Sequence, residues 1–363
     1  MKQLSLEEID ANFCVPRTIK ETDLVWRDVR EDPFTVYGLY DYKNQVPFRR
    51  MPDAVAQTVS PGVAGLAHCT AGGRVRFSTD SDLVAIHVTM HRVSKMSHMP
   101  LTGSAGFDLY VDDPLTGTSR YWRTFTPPFD IKDGYESVIR FPSRMLRHIT
   151  VNFPLYAGVD TLLIGVRETA QLGAGLRYRD MDPIVYYGSS ITQGGCASRP
   201  GNCYQNILAR RTNLDYVNLG FSGCGRAEDT MIDYLASLPM SVFVSDYDHN
   251  APSPAHLQET HCKLYRAIRA AHPEIPYIMV SRFDFDSAYE ESIARRDVIF
   301  DTYRYARETG DRNVYYIDGA SVFRGPDEDG CTVDGTHPND HGFALFASAL
   351  GAELKRAFTQ GAF

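Results

Sequence analysis

Several features are missing from this chain, and each absence narrows what it can be. No run approaches the about eighteen consecutive apolar residues that a membrane-spanning helix needs, so none is expected. The opening stretch, MKQLSLEEIDANF, has neither an apolar core nor a small-residue cleavage pattern, so a secretory leader is not expected and a cytoplasmic location is. Low-complexity tracts and internal repeats are absent. With 43% hydrophobic and 23% charged residues, the composition is that of a globular chain rather than a disordered one. Positive charge is in deficit, with 37 Lys and Arg against 45 Asp and Glu, a formal net charge of −8. Such a balance offers no attraction to nucleic acid or to an anionic membrane surface, and neither is expected as a partner.

Cysteine spacing excludes more. The seven cysteines are odd in number and scattered, and none forms a CxxC pair. That argues against a disulfide framework and against a structural zinc site. Cys196 and Cys203 flank one loop and are the one pair placed to bridge; small buried or half-buried side chains are the expectation for all seven. Nowhere do His, Cys and carboxylates fall at metal-ligand spacing, so neither a metal nor another cofactor is expected.

What is present changes character near residue 180. From about 55 to 178 the chain reads as β-structure. RVRFST, LVAIHVTM, GFDLYVDD, RYWRTFT, SVIRFP, HITVNF and TLLIGVR are short, β-branched or aromatic, and separated by turn clusters such as DDPLTGTS. Even spacing of short strands predicts a sandwich or jelly roll. The first fifty residues fit no single pattern; VYGLYDYKNQVPFRRMP, 36–52, suits edge strands or a cover for the sandwich. From 184 the rhythm becomes strand and helix. Apolar runs at Ile184–Tyr187, Tyr216–Leu219, Val242–Val244, Tyr277–Val280 and Val314–Ile317 alternate with helical stripes, among them Phe343, Phe346, Leu350 and Leu354. This predicts a parallel sheet covered on both faces, with any site beyond the carboxyl ends of its strands. The expected division is a β-sandwich domain over 1–178 and an α/β domain over 179–363.

Polar residues after those strands carry the candidate chemistry. Gly188-Ser189-Ser190-Ile191-Thr192-Gln193-Gly194 follows the first strand, GFSGCG (220–225) the second, SDYDHN (245–250) the third, and DGTHPND (334–340) the last. A serine hydroxyl becomes a useful nucleophile only beside a base that takes its proton. His337 is the candidate base, and Asp334 is near enough in sequence to orient its ring. The Ser190 N–H, an N–H of the second loop and the Asn250 amide would stabilise an oxyanion. Ser189 is a rival nucleophile and His249 a rival base. Asp246 and Asp248 read as structural carboxylates holding loop backbone. Arg199, in GGCASRPGNCY, either contacts substrate or pairs with a local carboxylate. Asn339 or Asp340 is expected to cap the helix that His341 begins.

Taken together, these blocks resemble the SGNH (GDSL-type) hydrolase superfamily over roughly residues 182–358. The resemblance maps the nucleophile to Ser190, oxyanion donors to Ser190, Gly223 and Asn250, and the base and its orienting acid to His337 and Asp334. It implies a flavodoxin-like three-layer α/β/α domain. Two blocks depart from the usual pattern: Ser189 stands where Asp is common, and the third block reads DYDHN. The latter suits a branch with an N-terminal β domain marked GxDLY, matched here by Gly106-Phe107-Asp108-Leu109-Tyr110. Members of that branch are esterases, often carbohydrate deacetylases, so an acetyl ester of a sugar or oligosaccharide is the implied substrate. Lipid acylhydrolase or thioesterase activity with the same triad is the alternative. A glycan-binding protein with a degenerate hydrolase domain is the reading from another class. The β domain is expected to bind carbohydrate or to serve as a packing or homo-oligomer surface, with Trp122 in its core rather than a sugar platform.

Overall fold

The computed structural model describes residues 4–10, 14–16, 18–284 and 288–360. Of the opening stretch read for a leader, Leu6–Ile9 forms one short helix, and residues 1–3 and 11–13 lie outside the described residues.

Among the described residues the N-terminal half has ten strands: β1 (Leu24–Asp28), β2 (Thr35–Tyr37), β3 (Arg74–Thr79), β4 (Leu83–Thr89), β5 (Phe107–Asp112), β6 (Ser119–Phe125), β7 (Gly134–Arg140), β8 (Arg147–Asn152), β9 (Thr161–Arg167) and β10 (Leu172–Ala174). They form two antiparallel sheets, ordered β1-β9-β4-β7 and β10-β3-β8-β5-β6, with β2 beside β3. Alternation drives the packing. Val84, Ile86 and Val88 share one buried cluster with Leu162, Ile164 and Val166 from the first sheet, and with Val75, Phe77, Leu109 and Val151 from the second. Each such side chain, fully buried, is worth roughly 1.5–3 kcal/mol, and the shared apolar faces hold the two sheets together. The ambiguous first fifty residues supply the edge strands β1 and β2.

One expectation is corrected here. The β reading from residue 55 onward does not hold at its start, because Asp53–Val59 and Pro61–Ala67 are helices. Pro61 occupies the first turn of the second helix, and the Ser60 hydroxyl oxygen accepts the Val63 N–H at 3.2 Å, a cap that makes the helix start favourable. These helices do not pack in the sandwich. Ala56, Val63 and Ala67 join the core of the C-terminal half.

That half is built on five parallel strands: β11 (Ile184–Gly188), β12 (Tyr216–Gly220), β13 (Val242–Asp246), β14 (Tyr277–Val280) and β15 (Val314–Ile317), ordered β12-β11-β13-β14-β15. Strand β11 shows why helices must cover both faces. Ile184 and Tyr186 enter one core with Phe343, Phe346, Leu350 and Leu354 of the helix Asp340–Gln360, whereas Val185 and Tyr187 enter another with Met231, Leu257 and Leu264. The strand order reverses around β11, which opens a crevice at the carboxyl ends of β11, β12 and β13.

Three fully buried arginines cross from the N-terminal half. Arg50 donates to the carbonyls of Leu66 at 2.7 Å, Gly220 at 2.6 Å and Asn218 at 3.2 Å. Arg74 pairs with Asp215 and donates to the Tyr216 carbonyl at 3.1 Å. Arg76 reaches Asn213 Oδ1 at 3.1 Å. Burial lowers the Arg50 guanidinium to about 10, so it stays charged at neutral pH, and carbonyl oxygens rather than a carboxylate receive its protons.

Candidate active site

Strand register brings the first three candidate loops together. Gly188 lies opposite both Gly220 of β12 and Asp246 of β13. Ser190, Gly223 and Asn250 therefore follow the same sheet edge by two, three and four residues. Backbone bonds tie the loops: the Phe221 N–H donates to the Gly188 carbonyl at 2.9 Å, and the Ser189 N–H to the Asp246 carbonyl at 3.0 Å. Ser190 opens the short helix Ser190–Gln193, and the Ser189 hydroxyl oxygen caps it by accepting the Ile191 N–H at 3.2 Å. Ser189 thus caps the turn, and of the two rivals Ser190 is the serine that meets a histidine.

Ser190 Oγ lies 2.8 Å from His337 Nε2, and His337 Nδ1 lies 2.7 Å from Asp334 Oδ2. Asp334 Oδ1 accepts the backbone N–H groups of His337 at 2.8 Å and Thr336 at 3.1 Å. Burial alone would raise the Asp334 carboxyl, but these bonds and the His337 ring bring it down to about 2. It is an anion at neutral pH, and its bond to Nδ1 fixes the orientation of the imidazole. Strand β15 ends three positions along the sheet from β11, so the loop must travel back to reach Ser190. Its closure is local: Val333 N–H donates to the His337 carbonyl at 2.9 Å, and Asn339 N–H to the Cys331 carbonyl at 3.0 Å. From beyond β14, Asp284 accepts the Thr336 hydroxyl at 2.9 Å while held by Arg282 at 2.7 and 2.8 Å.

At the same sheet edge, the three groups expected to donate to an oxyanion, on Ser190, Gly223 and Asn250, come together. Gly223 has φ +70°, a conformation costly for any residue with a Cβ. Among the described residues, neither the Ser190 nor the Gly223 N–H has an acceptor. Asn250 accepts the Gly225 N–H at Oδ1, 3.2 Å away, which turns its amide nitrogen the other way; that nitrogen also has no acceptor among the described residues.

Other expected residues find different roles. His249 is buried against Phe283, accepts the Phe283 N–H at 3.4 Å and lies 3.5 Å from Asp284; burial holds its ring neutral, and it does not touch Ser190. Asp248 accepts a backbone N–H, that of Arg282 at 2.9 Å, whereas Asp246 accepts the Thr192 hydroxyl at 2.9 Å rather than a backbone group. Burial pushes Asp246 up to about 8. Arg199 pairs with a carboxylate, Asp108 of the β domain, at 3.4 Å. Asn339 caps the last helix, accepting the N–H groups of His341 at 2.9 Å and Gly342 at 3.1 Å. Trp122 packs on Phe141. All seven cysteines are free thiols, Cys196 and Cys203 included.

Sequence reasoning missed the contribution of the β domain. His98, on the turn Met96–Met99, puts its ring 5.9 Å from that of His337. Tyr156 points its hydroxyl at the Ser190 carbonyl, 3.5 Å away, and Gln193 reaches the Leu155 carbonyl at 3.2 Å. No local motif announces such contacts, because their partners are far apart in sequence. A cleft of about 640 Å³ runs between the halves beside His337, lined by Ser97, His98 and Met99 on one side and Cys196, Val333 and His341 on the other.

Comparison with known proteins agrees with this architecture. Residues 181–355 match the GDSL-like lipase/acylhydrolase family, and residues 24–172 match the GxDLY region that forms the N-terminus of SGNH-hydrolase-type esterases. A protein from Bacteroides ovatus described as a GDSL-like lipase superposes with a TM-score of 0.81 at 27% identity, covering 92% of this chain and 98% of its own. A salicylyl-acyltransferase from a tetracycline biosynthetic pathway gives 0.74 at 21% identity, over 93% and 98%. A family two carbohydrate esterase from Clostridium thermocellum gives 0.56 at 15% identity, over 79% and 93%. The last two likenesses are of fold. No curated protein matches the chain by sequence.

Proposed function

The chain belongs to the SGNH (GDSL-type) hydrolase superfamily, in the branch with a GxDLY N-terminal domain, and from that premise we propose that it is a serine esterase removing short acyl groups, acetyl foremost, from a carbohydrate. The observation that carries the reading is the continuous chain from Ser190 Oγ through His337 to Asp334, at 2.8 and 2.7 Å. Ser190 attacks the ester carbonyl as His337 Nε2 takes its proton. The oxyanion is held by the N–H groups of Ser190 and Gly223 and by the Asn250 amide. His337 then protonates the leaving alcohol, and a water deprotonated by the same ring releases the acid from the acyl-enzyme. The resemblance to the branch supplies the substrate class. Ser97, His98 and His341 on the cleft wall support it by offering hydrogen-bonding groups to a hydroxyl-rich alcohol.

Hydrolysis of p-nitrophenyl acetate, blocked by a serine-directed inhibitor, tests the reaction; no inhibitable turnover would leave the glycan-binding reading in its place. Acetylated oligosaccharides, with the released positions read by NMR, test the substrate. The second reading, a lipid acylhydrolase, draws on Met99, Pro100 and Val333 in the same cleft. A preference for long-chain over acetyl esters would establish it instead.

A further inference from the structure

Beside the triad, one group of side chains shares its histidine. A ring nitrogen of His98, the Cys196 sulfur and a ring nitrogen of His337 all lie within 4.8 Å of one another. In a four-coordinate zinc site, with bonds of about 2.0–2.1 Å to nitrogen and about 2.3 Å to sulfur, such atoms sit roughly 3.3–3.8 Å apart. His98 is exposed on a turn, so rotation of its side chain closes the difference. Two further observations point to the same place. Cys196 has φ +73°, in the left-handed region that disfavours a residue with a Cβ, and such an outlier beside a reactive centre invites a functional account. The preceding residue, Gly195, runs alongside the ring: a Cβ there would lie 3.4 Å from His337 Cδ2, at ordinary contact distance. The His337 ring is also prepared as a ligand. Its Nδ1 is held by Asp334 at 2.7 Å, leaving Nε2 as the coordinating atom, the carboxylate–histidine–metal arrangement that orients a ring and raises its basicity.

We propose that His98, Cys196 and His337 form an inhibitory site for a borderline-soft divalent cation, Zn²⁺, which switches the esterase off by taking the base away from Ser190. Two imidazoles and a thiolate suit Zn²⁺ rather than Mg²⁺ or Ca²⁺, which select oxygen ligands. Coordination forms one Zn–S and two Zn–N bonds, with a water in the fourth position, and the Cys196 thiol proton passes to solvent. Nε2 can no longer accept the Ser190 proton while it is bound to metal, and a chelator restores it. Because one ligand comes from the β domain and two from the hydrolase domain, the site exists only in the assembled chain.

The inhibition rests on the proposed esterase mechanism; the binding does not, and the experiment separates them. Co²⁺ is titrated into the full chain and into Ser190→Ala, which has no activity to lose. One equivalent should bind both and give a thiolate-to-cobalt absorption band that Cys196→Ser abolishes, while His98→Ala weakens binding by about tenfold or more. In parallel, Zn²⁺ should inhibit p-nitrophenyl acetate hydrolysis reversibly with EDTA. Its inhibition constant, referred to each variant's own metal-free rate, should rise by a similar factor in His98→Ala and Cys196→Ser. An unchanged cobalt spectrum and affinity in both variants would overturn the site, whatever the enzyme's activity. Metal binding as expected, with hydrolysis unaffected by saturating Zn²⁺, would overturn the switch.

Discussion

Asp108 accepts the backbone N–H of Gly201 across the interface between the two halves, at 2.8 Å. The same carboxylate, itself fully buried, takes Asn152 Nδ2 at 2.8 Å and faces the half-buried Arg199 at 3.4 Å. Gly201 is the residue for this contact, because a Cβ there would lie 2.2 Å from the Tyr110 hydroxyl. The conspicuous Asp and Tyr of Gly106–Tyr110 thus both meet the loop that follows the nucleophile helix. The signature is an interdomain anchor in this chain.

That anchor gives stability a pH dependence. Burial raises Asp108 to about 6, against the bonds from Asn152 and Gly201, whereas an ordinary Asp sits at 3.8. The folded state therefore binds the proton more tightly than the unfolded state. The group's contribution is most favourable below about 3.8 and is lost as pH rises through about 6. Denaturant midpoints across that window should show this decline in the native chain and lack it in Asp108→Asn; identical profiles would disprove the assignment.

Arg50 is expected to matter as much without touching substrate. Arg50→Ala leaves the Leu66, Asn218 and Gly220 carbonyls without their buried donor, at a cost of about 3 kcal/mol or more. Urea unfolding should register the loss. Because Gly220 precedes the oxyanion loop, acetyl esterase activity should fall as well.

Ser190→Ala should lower acetyl ester hydrolysis by at least about a thousandfold and leave the circular dichroism spectrum unchanged. Retained turnover in a folded Ser190→Ala would exclude Ser190 as nucleophile. Asp334→Asn should reduce kcat by about a thousandfold to ten-thousandfold, through loss of ring orientation.

Asn250→Ala tests the oxyanion donor separately. Removing one such donor costs about 3–4 kcal/mol of transition-state stabilisation, a drop in kcat of roughly a hundredfold to a thousandfold. KM should change little, because the bond strengthens only as charge develops on the oxygen. A rise in KM at constant kcat would instead place Asn250 in ground-state binding.

The parallel-sheet rhythm was legible because a strand buried on both faces must be apolar throughout, as at Ile184–Tyr187 and Val314–Ile317. The loops that carry Ser190, His337 and Asp334 were legible because each follows a strand end or is a compact run of distinctive residues. The helices over 53–67 were hidden, being short, rich in Gly and Pro, and amphipathic only toward a core formed by residues more than a hundred positions away.

By itself, then, the sequence determined the two kinds of sheet and the order of the polar loops, since both follow from local periodicity and from strand ends. Tertiary structure alone decided the 2.8 Å approach of Ser190 Oγ to His337 Nε2. It also decided that Asp108 grips Gly201, and that His98 and Cys196 come beside the base. Those relations join residues from different strands and different halves, and their distances are set by sheet register and by the packing between the halves, which no short stretch of chain encodes.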